Sequence, residues 1–206
     1  MEKSNVCEVG LKLDKDLKFY HKMLIEKGFS NVFNCETWDR YWSNKEFDGM
    51  SENEIKRACV RFRCSRWLKK RWFSKNNFAN SGFQNYLIFD NLAENSFMCP
   101  MEALPQFEEK FKQYGWKMVF DTKKKDYQYS IEGMKSRIQL QDIEGIGLLV
   151  YYDNPDYYDL PIEEQRVKLI DELNSYGFSF KHSDLGLDKL KTLYHKKDCF
   201  SPNQNG

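Results

Sequence analysis

Apolar residues recur at three- and four-residue intervals in DKDLKFYHKMLIEKGF (14–29), PMEALPQFEEKFKQYGW (100–116) and PIEEQRVKLIDELNSYGF (161–178). That spacing places them on one stripe of a helix. Each stretch runs into Gly28, Gly115 or Gly177 and then an aromatic residue, which is the composition of a helix C-cap. The pattern therefore predicts three amphipathic helices with one packing face each. Segments between them are rich in aromatic and β-branched residues with alternating character, so the rest of the chain is mainly strand. The expected class is α+β, with helices laid against the outside of a sheet.

The stretches after the first two helices are similar in sequence. GFSNVFNCETWDRYWS (28–43) and GWKMVFDTKKKDYQYS (115–130) share Gly, Val, Phe, Asp and Ser without a gap. This echo predicts one helix-then-strand unit used twice. Further on, SRIQLQDIEGIGLLVYYDN (136–154) reads as two strands joined by a glycine turn.

Side chains alternate between the faces of a strand, so residue parity sorts them. In CEVGLKL, Glu8, Gly10 and Lys12 oppose Val9, Leu11 and Leu13. In RACVRFR, Arg57, Cys59, Arg61 and Arg63 oppose Ala58, Val60 and Phe62. In DTKKKDYQY, Lys123, Lys125, Tyr127 and Tyr129 fall together, and in SRIQLQD, Arg137, Gln139 and Gln141 oppose Ile138 and Leu140. Taken singly, each strand fits a sheet with one wet face. Taken together with three outer helices, which need apolar sheet faces to cover, the repetition predicts a closed antiparallel barrel whose cationic faces point inward. Enclosed Arg and Lys side chains repel one another and are desolvated, so they make sense around a polyanion. Phosphate fits best, because guanidinium groups grip its oxygens bidentately and lysines supply point charge.

The 206 residues suffice for one core, and 1–198 reads as one domain with a polar tail, 199–206. A net charge of +1 argues against a strongly basic nucleic-acid binder. The chain has no apolar run of membrane-spanning length and its start lacks a signal-peptide core, which points to the cytoplasm. The six cysteines and three histidines lack the paired spacing of a zinc site, so reduced, partly buried thiols are expected.

In motif order, the chain resembles the CYTH family, the triphosphate tunnel fold of class IV adenylyl cyclases, thiamine triphosphatases and inorganic triphosphatases. The resemblance runs from about residue 7 to residue 180. EVGLK is similar to the family's opening ExExK strand, with Glu8 and Lys12 kept and Gly10 in place of the second glutamate. WDRYW carries Asp39 and Tyr41 of an aspartate-x-tyrosine strand, VRFR supplies Arg61 and Arg63 of an LRxR strand, and WFSK offers Lys75. KKKDYQY resembles a later lysine-x-arginine strand through Lys123 and Lys125, and LQDIEGIGLLVYYD the closing LDxVEGLGxFxExE pattern. The departures fall on acids: Gly10, Gln141 and Tyr151 stand where the family has carboxylates, and Asp153 is the last acid of the run.

The resemblance implies a triphosphate or polyphosphate ligand held by Arg61, Arg63, Lys75, Lys123, Lys125 and Arg137. It also implies catalytic roles for Glu8 and Lys12 and one Mg²⁺ or Mn²⁺ site at Glu8 and Asp153; a homodimer would rest on family analogy alone. Two readings stay open: a metal-dependent phosphohydrolase or adenylyl cyclase-like enzyme, and a binder of nucleotide or polyphosphate that performs no turnover. Loss of metal ligands weakens catalysis far more than anion binding. A third reading is a single-stranded nucleic-acid module built on RFRCSRWLKKRWFSK (61–75), where cations interleave with Trp67, Trp72 and Phe73.

Overall fold

The computed structural model describes residues 7–71, 78–79, 82–89, 96–98, 100–181 and 189–196. Lys75, Trp72, Phe73 and the tail 199–206 lie outside the described residues. The elements are β1 (Val9–Lys12), α1 (Leu17–Glu26), β2 (Ser30–Ser43), α2 (Glu52–Ala58), β3 (Val60–Arg71), β4 (Phe78–Ala79), β5 (Gly82–Phe89), β6 (Ser96–Met98), α3 (Leu104–Gln113), β7 (Lys117–Ser130), β8 (Ile138–Ile143), β9 (Gly147–Tyr152), α4 (Ile162–Ser175) and α5 (Lys189–Lys196). All strand pairs are antiparallel. The ladder runs β1-β9-β8-β7-β2-β3-β5-β6, with β4 paired to β3. Among the described residues β1 and β6 are edges, so hydrogen bonding leaves the sheet open where the charge alternation predicts a closed barrel.

The three predicted helices form α1, α3 and α4, and each ends at a glycine with positive φ: 88° at Gly28, 78° at Gly115 and 89° at Gly177. These are left-handed turns that only glycine makes without a Cβ penalty. Asp16 starts α1 by accepting the Phe19 N–H at 2.8 Å. The sequence echo is real in three dimensions. Helix α1 leads into β2 and α3 into β7, and these two 14-residue strands lie side by side as the spine of the sheet.

Two cores cover the outer face. Tyr20 and Leu24 of α1 and Leu169 and Leu173 of α4 pack on Val9, Leu11, Val150, Ile138, Leu140 and Tyr129. On α3, Phe107 and Phe111 pack on Trp42, Val60 and Phe62. Such burial of a sheet's apolar side is what fixes strand register, since a one-residue slip would turn all these side chains into water.

The unforeseen elements are α2 and α5. The alternation of RACVRFR predicts a strand from residue 57, yet Arg57 belongs to the last turn of α2. The signal for that helix is Ser51-x-x-Glu54, and the structure shows a complete capping box there. Together α2 and α5 bury Ile55, Leu190, Leu193 and Tyr194 against Tyr41, Phe120, Ile143 and Leu149, which lie on the sheet face opposite to the outer helices. This inner face is thus half apolar and covered by α5.

Leu173 is fully buried in the core shared by β1, β9, α1 and α4. Replacing it with Ala should cost about 2–5 kcal/mol through lost burial and an unfilled cavity, measured as a lower urea midpoint. An unchanged midpoint would show that α4 does not anchor the sheet.

Candidate functional site

Cross-strand register assembles the inner face row by row. Arg61 lies opposite Tyr41 and Tyr41 opposite Phe120; Arg63 is opposite Asp39 and Asp39 opposite Thr122; Ser65 pairs with Thr37 and Thr37 with Lys124. The next row runs from Cys35 through Asp126, Gln141 and Leu149 to Lys12. Residues on these positions share one face because side-chain alternation has a period of two.

A buried ionic cluster occupies the centre. Arg63 donates to both oxygens of Asp39, Nε to Oδ1 at 2.7 Å and Nη2 to Oδ2 at 2.6 Å, a bidentate fork that suits a planar guanidinium. The Asp39 side chain is 2% exposed. Its burial alone would raise the carboxyl's pKa, but the Arg63 guanidinium, with help from Lys124 and Arg61, holds it well below the usual carboxylate range. Lys124 sits 3.7 Å from Asp126, which also accepts from Gln139 Nε2 at 3.0 Å. Burial lowers the Lys124 pKa, Asp126 opposes that, and Arg63 adds to it.

Arg61 is less committed. Its Nη1 stands 3.9 Å from Asp39 Oδ2 and 3.5 Å from the Tyr41 hydroxyl, and its buried Nε has no hydrogen-bond partner. Thr122 Oγ1, on the same face, is likewise buried and unpartnered. Buried polar groups without a protein partner are uncommon, and Asn34 Oδ1 and Trp42 Nε1 share that property. From α5, Lys189 Nζ reaches Gln141 Oε1 at 3.3 Å and lies 5.8 Å from the Tyr151 ring centre. Lys189 interacts electrostatically with Lys124, Asp39, Asp126 and Arg63, and also with Glu8 beside β1. Strands β1 and β3 are five steps apart in the ladder, roughly 24 Å across a flat sheet at about 4.8 Å per step. One ammonium that interacts with groups from β1 to β3 sets α5 across this face of the sheet, here called the trough.

The trough therefore holds Arg61, Arg63 and Lys124, with Lys189 above them, against the carboxylates of Asp39 and Asp126. With Lys189 protonated, cations exceed carboxylates by two. Of the residues expected from sequence, Arg61 and Arg63 are here, and Lys12 lies at the far end of the Asp126–Gln141 row. Lys123 and Lys125 are not. They do share a face with Tyr127 and Tyr129, but it is the outer one, where Tyr129 is fully buried beneath α1. Lys125 lies across from Glu36 and Asp142 in an outer groove of about 470 Å³ with Lys123, Arg66 and Glu144. Its charges alternate in sign and meet solvent, so this groove lacks the unbalanced charge of the trough. Arg137 precedes β8, is exposed, and donates to Gln128 Oε1 at 2.9 Å.

The acidic end departs furthest from expectation. Glu8 and Asp153 stand one position beyond the paired Val9 and Tyr152, so they do adjoin. Partial desolvation raises the Glu8 pKa, repulsion from Asp153 raises it further, and Lys189 opposes. Asp153 already accepts hydrogen bonds on both oxygens, from Ser136 at 3.1 Å and from the Tyr158 hydroxyl. Among the described residues no third His, Cys, Asp or Glu joins them. A Mg²⁺ or Mn²⁺ that bridges phosphates takes one or two carboxylates; Glu8 and Asp153 adjoin as such a pair, with Asp153 oriented by its two hydroxyl donors. Moreover, Tyr151 lies over Gly10: a Cβ built at Gly10 would come within 2.8 Å of the ring. An acid at position 10 and this tyrosine cannot occupy the same space.

Lys124, Asp126 and Lys189 belong to the site although no sequence motif singles them out. Even parity within KKK, together with the tyrosines two and four residues after Lys125, is the available signal for Lys124 and Asp126. Lys189 lies past the stretch covered by the family resemblance.

No protein-family model matches the chain, and no curated protein matches it in sequence. Solved structures do resemble it. A Pyrococcus horikoshii protein superposes with a TM-score of 0.52 at 17% identity, over 89% of this chain and 99% of that one. A second protein of that organism gives 0.49 at 18% identity, over 87% and 94%. A Vibrio parahaemolyticus protein provisionally named an adenylate cyclase gives 0.47 at 10%, over 86% and 92%. The first of these supports the overall fold; at such identities none of them assigns an activity.

Replacing Asp39 with Asn removes the charge that balances Arg63 and should destabilise the protein by about 3–5 kcal/mol at neutral pH. Because the folded carboxyl titrates below its unfolded value, the stability it contributes is full above about pH 4 and lost as pH falls through the folded value. Urea titrations from neutral to acid pH should show the wild type losing stability more steeply than the variant. Parallel acid profiles would contradict the pairing.

Proposed function

We propose that the trough binds a triphosphate- or polyphosphate-bearing ligand and does not turn it over by a metal-dependent route. The observation that carries this reading is the cluster of one buried and two half-buried cations, Lys124, Arg61 and Arg63, around the buried Asp39, with Arg61 Nε and Thr122 Oγ1 unpartnered beside it. An isolated excess of buried charge is costly. A polyanion relieves it, accepting from Arg61 and Lys124 while Asp39 keeps Arg63 in place. The sheet face covered by α5 is the counterpart of the tunnel that the CYTH resemblance implies, with curling and closure between the β1 and β6 edges a part of the same proposal.

The acidic end favours binding over hydrolysis. Phosphoryl transfer rests on positioning and charge neutralisation, most of which metal ions supply in the enzymes of this resemblance. Here three positions that the resemblance gives to acids hold Gly10, Gln141 and Tyr151, which leaves Glu8 and Asp153 as one carboxylate pair, with Asp153 also held by two hydroxyls. Of the stretch behind the nucleic-acid reading, Arg61 and Arg63 face the trough and Arg66 lines the outer groove, while Trp72 and Phe73 lie outside the described residues.

Isothermal titration with tripolyphosphate should give saturable binding that weakens at least tenfold, about 1.4 kcal/mol, in Arg61→Met. Lys123→Ala and Lys125→Ala, on the outer face, should bind as the wild type does. Glu8→Gln should keep its affinity, and no phosphate should be released with Mg²⁺ or Mn²⁺. Metal-dependent release abolished by Glu8→Gln would replace this reading with that of an enzyme.

A further inference from the structure

Nothing in the family resemblance reaches α5, yet this helix sets a lysine over the centre of the trough. Leu190, Leu193 and Tyr194 seat α5 on Tyr41, Phe120, Ile143 and Leu149. That packing holds Lys189, the first residue of the helix, 3.3 Å from Gln141 in the row shared with Asp126. We propose that Lys189 is a further cationic contact of the bound anion and takes up a proton as the anion enters. This rests on the reading of the trough as a phosphate site.

The groups acting on Lys189 are Lys124 and Asp126 from β7, Asp39 from β2, Arg63 from β3 and Glu8 from the start of β1. Gln141 of β8 and Tyr151 of β9 meet it without charge. Gln141 accepts one N–H, and the ring face of Tyr151 offers a weak cation–π contact. Neither replaces the hydration that burial removes. Burial, then repulsion from Lys124, bring the Lys189 pKa down to about 7, with Asp39 and Asp126 opposing.

Near neutral pH the empty trough therefore holds Lys189 as a mixture of amine and ammonium. A phosphate anion beside it stabilises the ammonium, so binding raises its pKa and draws a proton from solvent. By linkage, affinity is full below the pKa of the empty protein and falls as pH rises above it, by at most tenfold per unit, until the pKa of the complex is reached. The site thus captures polyanions more tightly in mildly acidic than in mildly alkaline solution, through a group that needs no histidine.

The probe is cyclic trimetaphosphate, whose charge is constant across the range, titrated calorimetrically into the full chain between about pH 6.5 and 8.5 in buffers of different ionisation enthalpy. The wild type should lose about tenfold or more in affinity across that range, and its enthalpy should vary with buffer, reporting proton uptake. Lys189→Arg, which stays charged, should bind with no pH slope. Lys189→Met should bind more weakly at the acid end and also without slope. A wild type that binds with a flat profile, or variants that retain its slope, would overturn the role of Lys189 while leaving the anion site standing. No binding by any of the three proteins at any pH would overturn the anion site and this inference together.

Discussion

The interior of this protein is organised by one carboxylate. Asp39 is buried in the middle of the sheet and grips Arg63 with both oxygens, while Arg61 and Lys124 stand near enough to lower its pKa further. Without it, three cations would crowd one face with no compensation except Asp126. A buried ion pair contributes modest net stability, because desolvation consumes most of the Coulombic gain. Its effect here is one of arrangement. It fixes Arg63, aligns β2 with β3, and leaves Arg61 Nε without a protein partner.

The two ends of the trough differ in chemistry. Toward α2 and α5 it is filled by the stacked Tyr41 and Phe120 with Ile143 and Leu149, which anchor α5 as a cover. Toward Glu8 and Asp153, Tyr151 lies on Gly10 in the space a side chain at that position would require. Positions 10 and 151 are sterically coupled: with the ring of Tyr151 where it lies, a side chain at position 10 would meet it. The cations Arg61, Arg63 and Lys124 remain on this face, and of the acidic positions Glu8 and Asp153 remain at its β1 edge.

Much of the fold is legible in the sequence. Helical periodicity ending in glycine locates α1, α3 and α4, and the echo of 28–43 in 115–130 identifies the paired spine strands. Parity finds Arg61 and Arg63 on the inner face. It fails for β7 at the choice of face rather than the grouping: Lys123 and Lys125 do lie with Tyr127 and Tyr129, but two tyrosines mark a side that helices cover, and Tyr129 packs beneath α1. Weighting the tyrosines above the lysines assigns Lys124 and Asp126 to the trough. Residue 57 misleads because RACVRFR alternates like a strand, whereas Ser51 and Glu54 have already committed the backbone to a helix. Lys189 has no local signal, since what distinguishes it from neighbouring lysines is the tertiary burial of one helix end.

The most direct measurement is a crystal structure of the protein grown or soaked with tungstate, an electron-dense tetrahedral oxyanion whose position anomalous scattering reports without bias. An anomalous peak is expected in the trough, within hydrogen-bonding distance of Arg61 and Lys124 and beneath Lys189. A peak only in the outer groove beside Lys123 and Lys125, or no ordered anion with the Asp39 cluster intact, would contradict it.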